Sequence, residues 1–121
     1  MKNISSFIFF LVVSIFSLAQ PQAINYQGVA RDNQGHPLVN QNISIRLSIL
    51  DGSTTGQAIY IESHNISTNN TGLFNVGIGS GNVISGIFSS IAWGQGDKWL
   101  QIEMDASGGN SFNLIDRKSV V

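Results

Sequence analysis

Asn42-Ile43-Ser44-Ile45-Arg46-Leu47-Ser48-Ile49-Leu50 decides the fold class, because Ile43, Ile45, Leu47 and Ile49 fall on one side of an extended chain and Ser44, Arg46 and Ser48 on the other. A period of two with one apolar face is the pattern of a half-buried strand. Upstream, Ile24 to Arg31 predicts a first strand. Asp32-Asn33-Gln34-Gly35 predicts a turn, in which Asx side chains accept backbone N–H groups and glycine supplies positive φ. His36-Pro37 then forces extended backbone.

Downstream, Ala58 to Ile66 predicts a strand with Ala58, Tyr60, Glu62, His64 and Ile66 on one side. Leu73 to Ile78 predicts another, with Phe74, Val76 and Ile78 inward, and Lys98 to Met104 a further one with Leu100, Ile102 and Met104 inward. Asp105 to Asn110 reads as a hairpin loop leading into Phe112 and Leu114. Val83 to Gly96 fits neither period, and Ser89 to Trp93 predicts one helical turn capped by Ser89. Six strands without βαβ alternation imply an all-β chain, an antiparallel β-sandwich of immunoglobulin-like or prealbumin-like kind.

The two ends differ from this body. Met1 to Ala19 carries Lys2, then an apolar run from Phe7 to Leu18, then Ser17-Leu18-Ala19, which has the small-x-small form of a signal-peptidase site. The run is shorter than the ~20 apolar residues a membrane span needs, and Gln20-Pro21-Gln22 ends it. The expectation is a signal peptide at 1–19, cleavage after Ala19, no stable membrane span thereafter, and a secreted or cell-surface location. At the other end, Asp116-Arg117-Lys118-Ser119-Val120-Val121 can be back-translated as part of a common short-read sequencing adapter. The expectation there is a domain at 20–115, a non-native tail at 116–121, and a native chain truncated at its C-terminus.

The chain has 121 residues, enough for one domain, with 42% hydrophobic and 11% charged residues and a formal net charge of −1. Residues 20–115 set Arg31, Arg46 and Lys98 against Asp32, Asp51, Asp97, Asp105, Glu62 and Glu103. So sparse and acidic a charge set argues against nucleic acid as a partner, which requires clustered cations to displace phosphate counterions. With no cysteine there is no disulfide, thiolate nucleophile or cysteine-based metal site.

Chemistry has few places to sit. His36 and His64 lie on different elements, and His64 shares a strand face with Glu62, a spacing compatible with one shared cation but more typical of a solvated sheet face. Gly77-Ile78-Gly79-Ser80-Gly81 follows a strand, yet lacks the G-x-G-x-x-G spacing of a dinucleotide loop and the G-x-S-x-G of a nucleophile elbow. Asp32, Asp51 and Asp105 lack the D-x-D-x-D spacing of a calcium loop, and turn chemistry accounts for them. The expectation is no enzyme, no cofactor and no metal. Trp99, on the outward face of its strand, and Tyr60 are the candidate ligand contacts, as stacking platforms for a glycan. The alternative for Trp99 is that it covers a sheet edge or packs under the Val83 to Gly96 segment.

Several stretches together resemble a known domain: Ile24 to Asp32, Gly35-His36-Pro37-Leu38, Ser44 to Leu50, Tyr60 to His64, Gly72 to Gly81, and Ile91-Ala92-Trp93 before Gly96 to Glu103. They are similar to an uncharacterised N-terminal domain of secreted or surface proteins of Gram-negative bacteria, which often precedes collagen-like, coiled-coil or tail-fibre segments. That domain usually closes with a further strand and a V-P-Y-A-type segment, neither of which follows Ile115. A weaker similarity, carried by Ala30 to Leu38 and Thr71 to Val76, reaches the carboxypeptidase-regulatory-like and transthyretin-like sandwiches. The resemblance implies architecture and no catalytic residues. It implies a structural or adhesive module with protein or glycan partners at the cell surface, oligomerising through a downstream region; the alternative is a carbohydrate-binding module.

Overall fold

A computed structural model describes residues 24–120, so the expected signal peptide and the cleavage site at Ala19 lie outside the described residues. Among the described residues the chain is all-β, with seven strands: β1 (Ile24–Val29), β2 (Asn42–Asp51), β3 (Ala58–Ser67), β4 (Leu73–Ile78), β5 (Asn82–Ser85), β6 (Lys98–Asp105) and β7 (Asn113–Ser119). They form two antiparallel sheets, a five-stranded one in the order β5-β3-β2-β6-β7 and a two-stranded one made of β1 and β4. The arrangement is sandwich-like, with the apolar faces of the two sheets supplying one core.

The decisive strand is central. β2 lies between β3 and β6, and its Ile43, Ile45, Leu47 and Ile49 are all buried. Pairing fixes which neighbours join them: Ile49 stands opposite Tyr60 and Leu100, Leu47 opposite Glu62 and Ile102, and Ile45 opposite His64 and Met104. From the smaller sheet Phe74, Val76 and Ile78 complete the core. On the outer face the polar side chains of β2 find partners across the sheet. Arg46 makes a two-pronged ion pair with Glu103 at 2.9 and 3.0 Å and lies over the Phe112 ring, and Ser44 donates to Asn65. Paired planar groups of this kind need no further ligand.

Three details differ from the sequence expectations. The stretch that fits neither period opens on β5, a short edge strand that is the second neighbour of β3, so the described residues hold seven strands rather than six. A single 3-10 turn follows at Phe88–Ser90, but its N-cap is Ile87 and no side chain caps it; Ser89 lies inside the turn. What holds the turn is packing, with the Phe88 ring edge-on to Tyr60 at 5.3 Å and to Trp93 at 5.8 Å. Finally, a register shift between Ile49 and Leu50 sets Ala58 opposite Leu50, so Ala58 leaves the face shared by Tyr60, Glu62 and His64.

The last strand runs through residue 115. Asp116, half-buried, stands opposite Ile102, and Lys118, exposed, opposite Leu100. There the Tyr26 hydroxyl donates to Asp116 at 3.4 Å and Lys118 lies over the Tyr26 ring, joining β1 of the small sheet to β7 of the large one.

Candidate functional site

The polar cluster with the strongest chemistry is Tyr60, Glu62 and His64 on β3. Alternation brings all three to one face, and pairing with Ile49, Leu47 and Ile45 turns that face into the core rather than to solvent. Tyr60 and Glu62 are 0% exposed. A carboxylate buried to this degree is tolerated only when its lone pairs are filled. Here the Tyr60 hydroxyl donates to Oε1 at 2.6 Å, the Gly79 backbone N–H donates to the same oxygen at 2.7 Å, and His64 Nε2 donates to Oε2. Because a carboxylate only accepts, this contact assigns the His64 proton to Nε2.

Burial by itself pushes the Glu62 carboxyl toward its neutral form. The donors His64, Tyr60 and Gly79 outweigh that effect and hold it below its ordinary value, so the group is an anion in the folded protein. Tyr60 is pushed strongly upward, first by burial and then by the hydrogen bond and charge of Glu62, and stays a donor.

The glycines between β4 and β5 are what let this cluster close. Gly79 brings its N–H onto Glu62, and Gly81 lies so near the imidazole that a Cβ there would come to 2.5 Å from His64 Nε2 and 2.8 Å from the Ser63 carbonyl oxygen. Gly81→Ala is therefore expected to lower stability by about 1–3 kcal/mol, the range for overpacking, with a lower midpoint in urea denaturation. An unchanged midpoint would show that the loop yields freely.

Chemically the cluster is a closed unit. Its three donors are spent on the carboxylate, and among the described residues no buried side-chain nitrogen or oxygen lacks a partner. Likewise, among the described residues no group of three or more His, Asp or Glu side chains is placed to hold a metal ion. Asp51, the last residue of β2, stands opposite Lys98, and Asp105, the last residue of β6, stands opposite Ser44 near the other end of β2. Asp105 accepts from Ser107 and Ser111, and Asp32 accepts the N–H groups of Gln34 and His36 as turn residues do. Among the described residues no helix is long and apolar enough to cross a membrane.

The two candidate ligand contacts are in different surroundings. Tyr60 is wholly enclosed and offers no ring face to a ligand. Trp99 is half-buried on the outer face of the large sheet, between Leu50 of β2 and Ser119 of β7. The tryptophan stacked edge-on to Phe88 is Trp93, which itself belongs to the Val83 to Gly96 segment. Sequence reasoning placed Glu62 and His64 together but not in the core. It also missed Lys98, whose Nζ is buried against the Gln95 carbonyl oxygen at 2.6 Å and Asp51 at 3.1 Å.

Residues 25–117 match the model of a domain family described as a domain of unknown function, DUF8740. No curated protein and no solved structure matches the chain.

Proposed function

The chain belongs to the DUF8740 family, and from that premise we propose that it is a non-enzymatic structural or adhesive module of a secreted or cell-surface protein. In this reading the two sheets form a sandwich of immunoglobulin-like or prealbumin-like kind, and the working part is its surface. The observation that supports it best is the exposure of Val83 and Ile84, 59% and 57%, on β5 at the open edge of the large sheet, with Ile87, 66% exposed, just beyond the end of that strand. Large aliphatic side chains crowded on a sheet edge mark contact with another macromolecule. The polar outer face and the buried carboxylate, by contrast, are satisfied within the chain.

The test uses the full-length protein coupled to beads, with retention measured on surfaces coated with bacterial envelope protein and on a glycan array. Retention on protein is expected to fall several-fold in the Val83→Ser/Ile84→Ser variant, and Trp99→Ala is expected to leave it unchanged. Glycan binding that disappears with Trp99→Ala, without retention on protein, would replace this reading with the carbohydrate-binding one.

A further inference from the structure

Beside the 3-10 turn, where β2 ends and β6 begins, lies a cavity of about 440 Å3 that combines an aliphatic wall with a buried cation. The volume falls in the range of roughly 300–1,000 Å3 typical of small-molecule sites. Ile59, Ile87, Ile91 and Ala92 form the wall, and Lys98, Asp51, Ser90 and Gln95 the polar part. Lys98 is 2% exposed, an unusual position for a residue whose ammonium is so costly to desolvate. Its ammonium has three donors, of which the Gln95 carbonyl and Asp51 take two. Asp51 is the solvent-facing partner of the pair, with 52% of its side chain exposed against 3% for Lys98.

We propose that this cavity binds a small carboxylate bearing a branched aliphatic arm. The carboxylate completes or takes over the Asp51 position on the Lys98 ammonium, where a charge-assisted hydrogen bond in a sheltered site is strongest. The arm lies on Ile59, Ile87 and Ile91, removing apolar surface from water. A wall of aliphatic side chains with no aromatic ring suits this chemistry and gives a sugar no stacking face. Two sources offer the same group: a free branched-chain acid, and the C-terminus of a peptide ending in an aliphatic residue. Ligand binding here goes beyond the structural or adhesive role.

The experiment titrates the 15N-labelled full-length chain with 4-methylpentanoate, with its uncharged amide, and with N-acetylglycyl-leucine, following backbone amide signals by NMR. Saturable shifts centred on Gly86, Ile87 and Ile91 are expected with the acid or the peptide, the tighter of the two identifying the source. The amide is expected to bind at least about tenfold more weakly, as is Lys98→Met. Ile87→Ser alters only an exposed wall residue and is expected to weaken binding several-fold without disturbing the fold, while Asp51→Asn tightens it. Equal binding of acid and amide, full affinity in Ile87→Ser, or no saturable shift overturns the proposal.

Discussion

Replacing Glu62 with alanine is expected to destabilise the protein by about 3–5 kcal/mol, lowering the Tm by roughly 12 °C or more. Alanine strands three donors at once, the buried Tyr60 hydroxyl and the partly buried His64 Nε2–H and Gly79 N–H, and leaves a void opposite Leu47. Each unpaired buried donor costs roughly 1–3 kcal/mol in desolvation. The combined variant Tyr60→Phe/Glu62→Leu/His64→Leu removes two of those donors along with the acceptor and is expected to recover much of the loss. Paired scanning calorimetry of the two variants decides the matter: a combined variant less stable than Glu62→Ala would mean that the side chains hold the fold by something other than mutual hydrogen bonding.

The same cluster sets an acid limb. Because the folded-state pKa of Glu62 lies below its ordinary 4.5, its contribution is complete above that value and is lost as pH falls through the lower, folded one. The parent Tm should therefore hold down to about pH 5 and then decline. In the combined variant the decline should be shallower, with a remainder from Asp32 and Asp105, whose carboxyls are also held low by hydrogen bonds.

Leu47→Ala carries the second large effect, about 2–5 kcal/mol. Leu47 is 1% exposed at the middle of the central strand, with Glu62 on one side and Ile102 on the other. Truncation removes core contacts and opens space beside a buried carboxylate, so water gains a route to the cluster. Leu114→Ala, on the outer strand where the side chain is 48% exposed, should shift stability by no more than about 0.5 kcal/mol. Urea midpoints measured side by side would contradict this assignment of the core if the two changes cost the same.

Much of the architecture was legible in the residues because three strands carry an unambiguous apolar face. Ile43, Ile45, Leu47 and Ile49, then Phe74, Val76 and Ile78, then Leu100, Ile102 and Met104 all point inward as their alternation predicts. β3 was harder. Ile59 and Ile61 sit on one side of it and Tyr60 and Ile66 on the other, so hydrophobicity does not choose a face. The choice is made by register against β2, a long-range property that local pattern does not contain. That is why Tyr60 looked available for a ligand, and why Glu62 and His64 looked solvated. β5 escaped notice because four residues are too few to show a period. The 3-10 turn owes its place to Phe88 packing against Tyr60 and Trp93, and no cap residue announces it. Lys98 opens its strand with no local sign of burial; β2 presents Asp51 opposite it and makes burial of the ammonium tolerable.

The most direct measurement of whether this protein works through its surface and not through its buried chemistry compares two folded variants on the protein-coated surface. Tyr60→Phe removes one hydroxyl from the closed cluster, and Ile84→Ser alters one exposed residue of the sheet edge. Retention equal to the parent in Tyr60→Phe and several-fold lower in Ile84→Ser is the predicted result. Retention lost in Tyr60→Phe and kept in Ile84→Ser, with both proteins folded, would contradict the account.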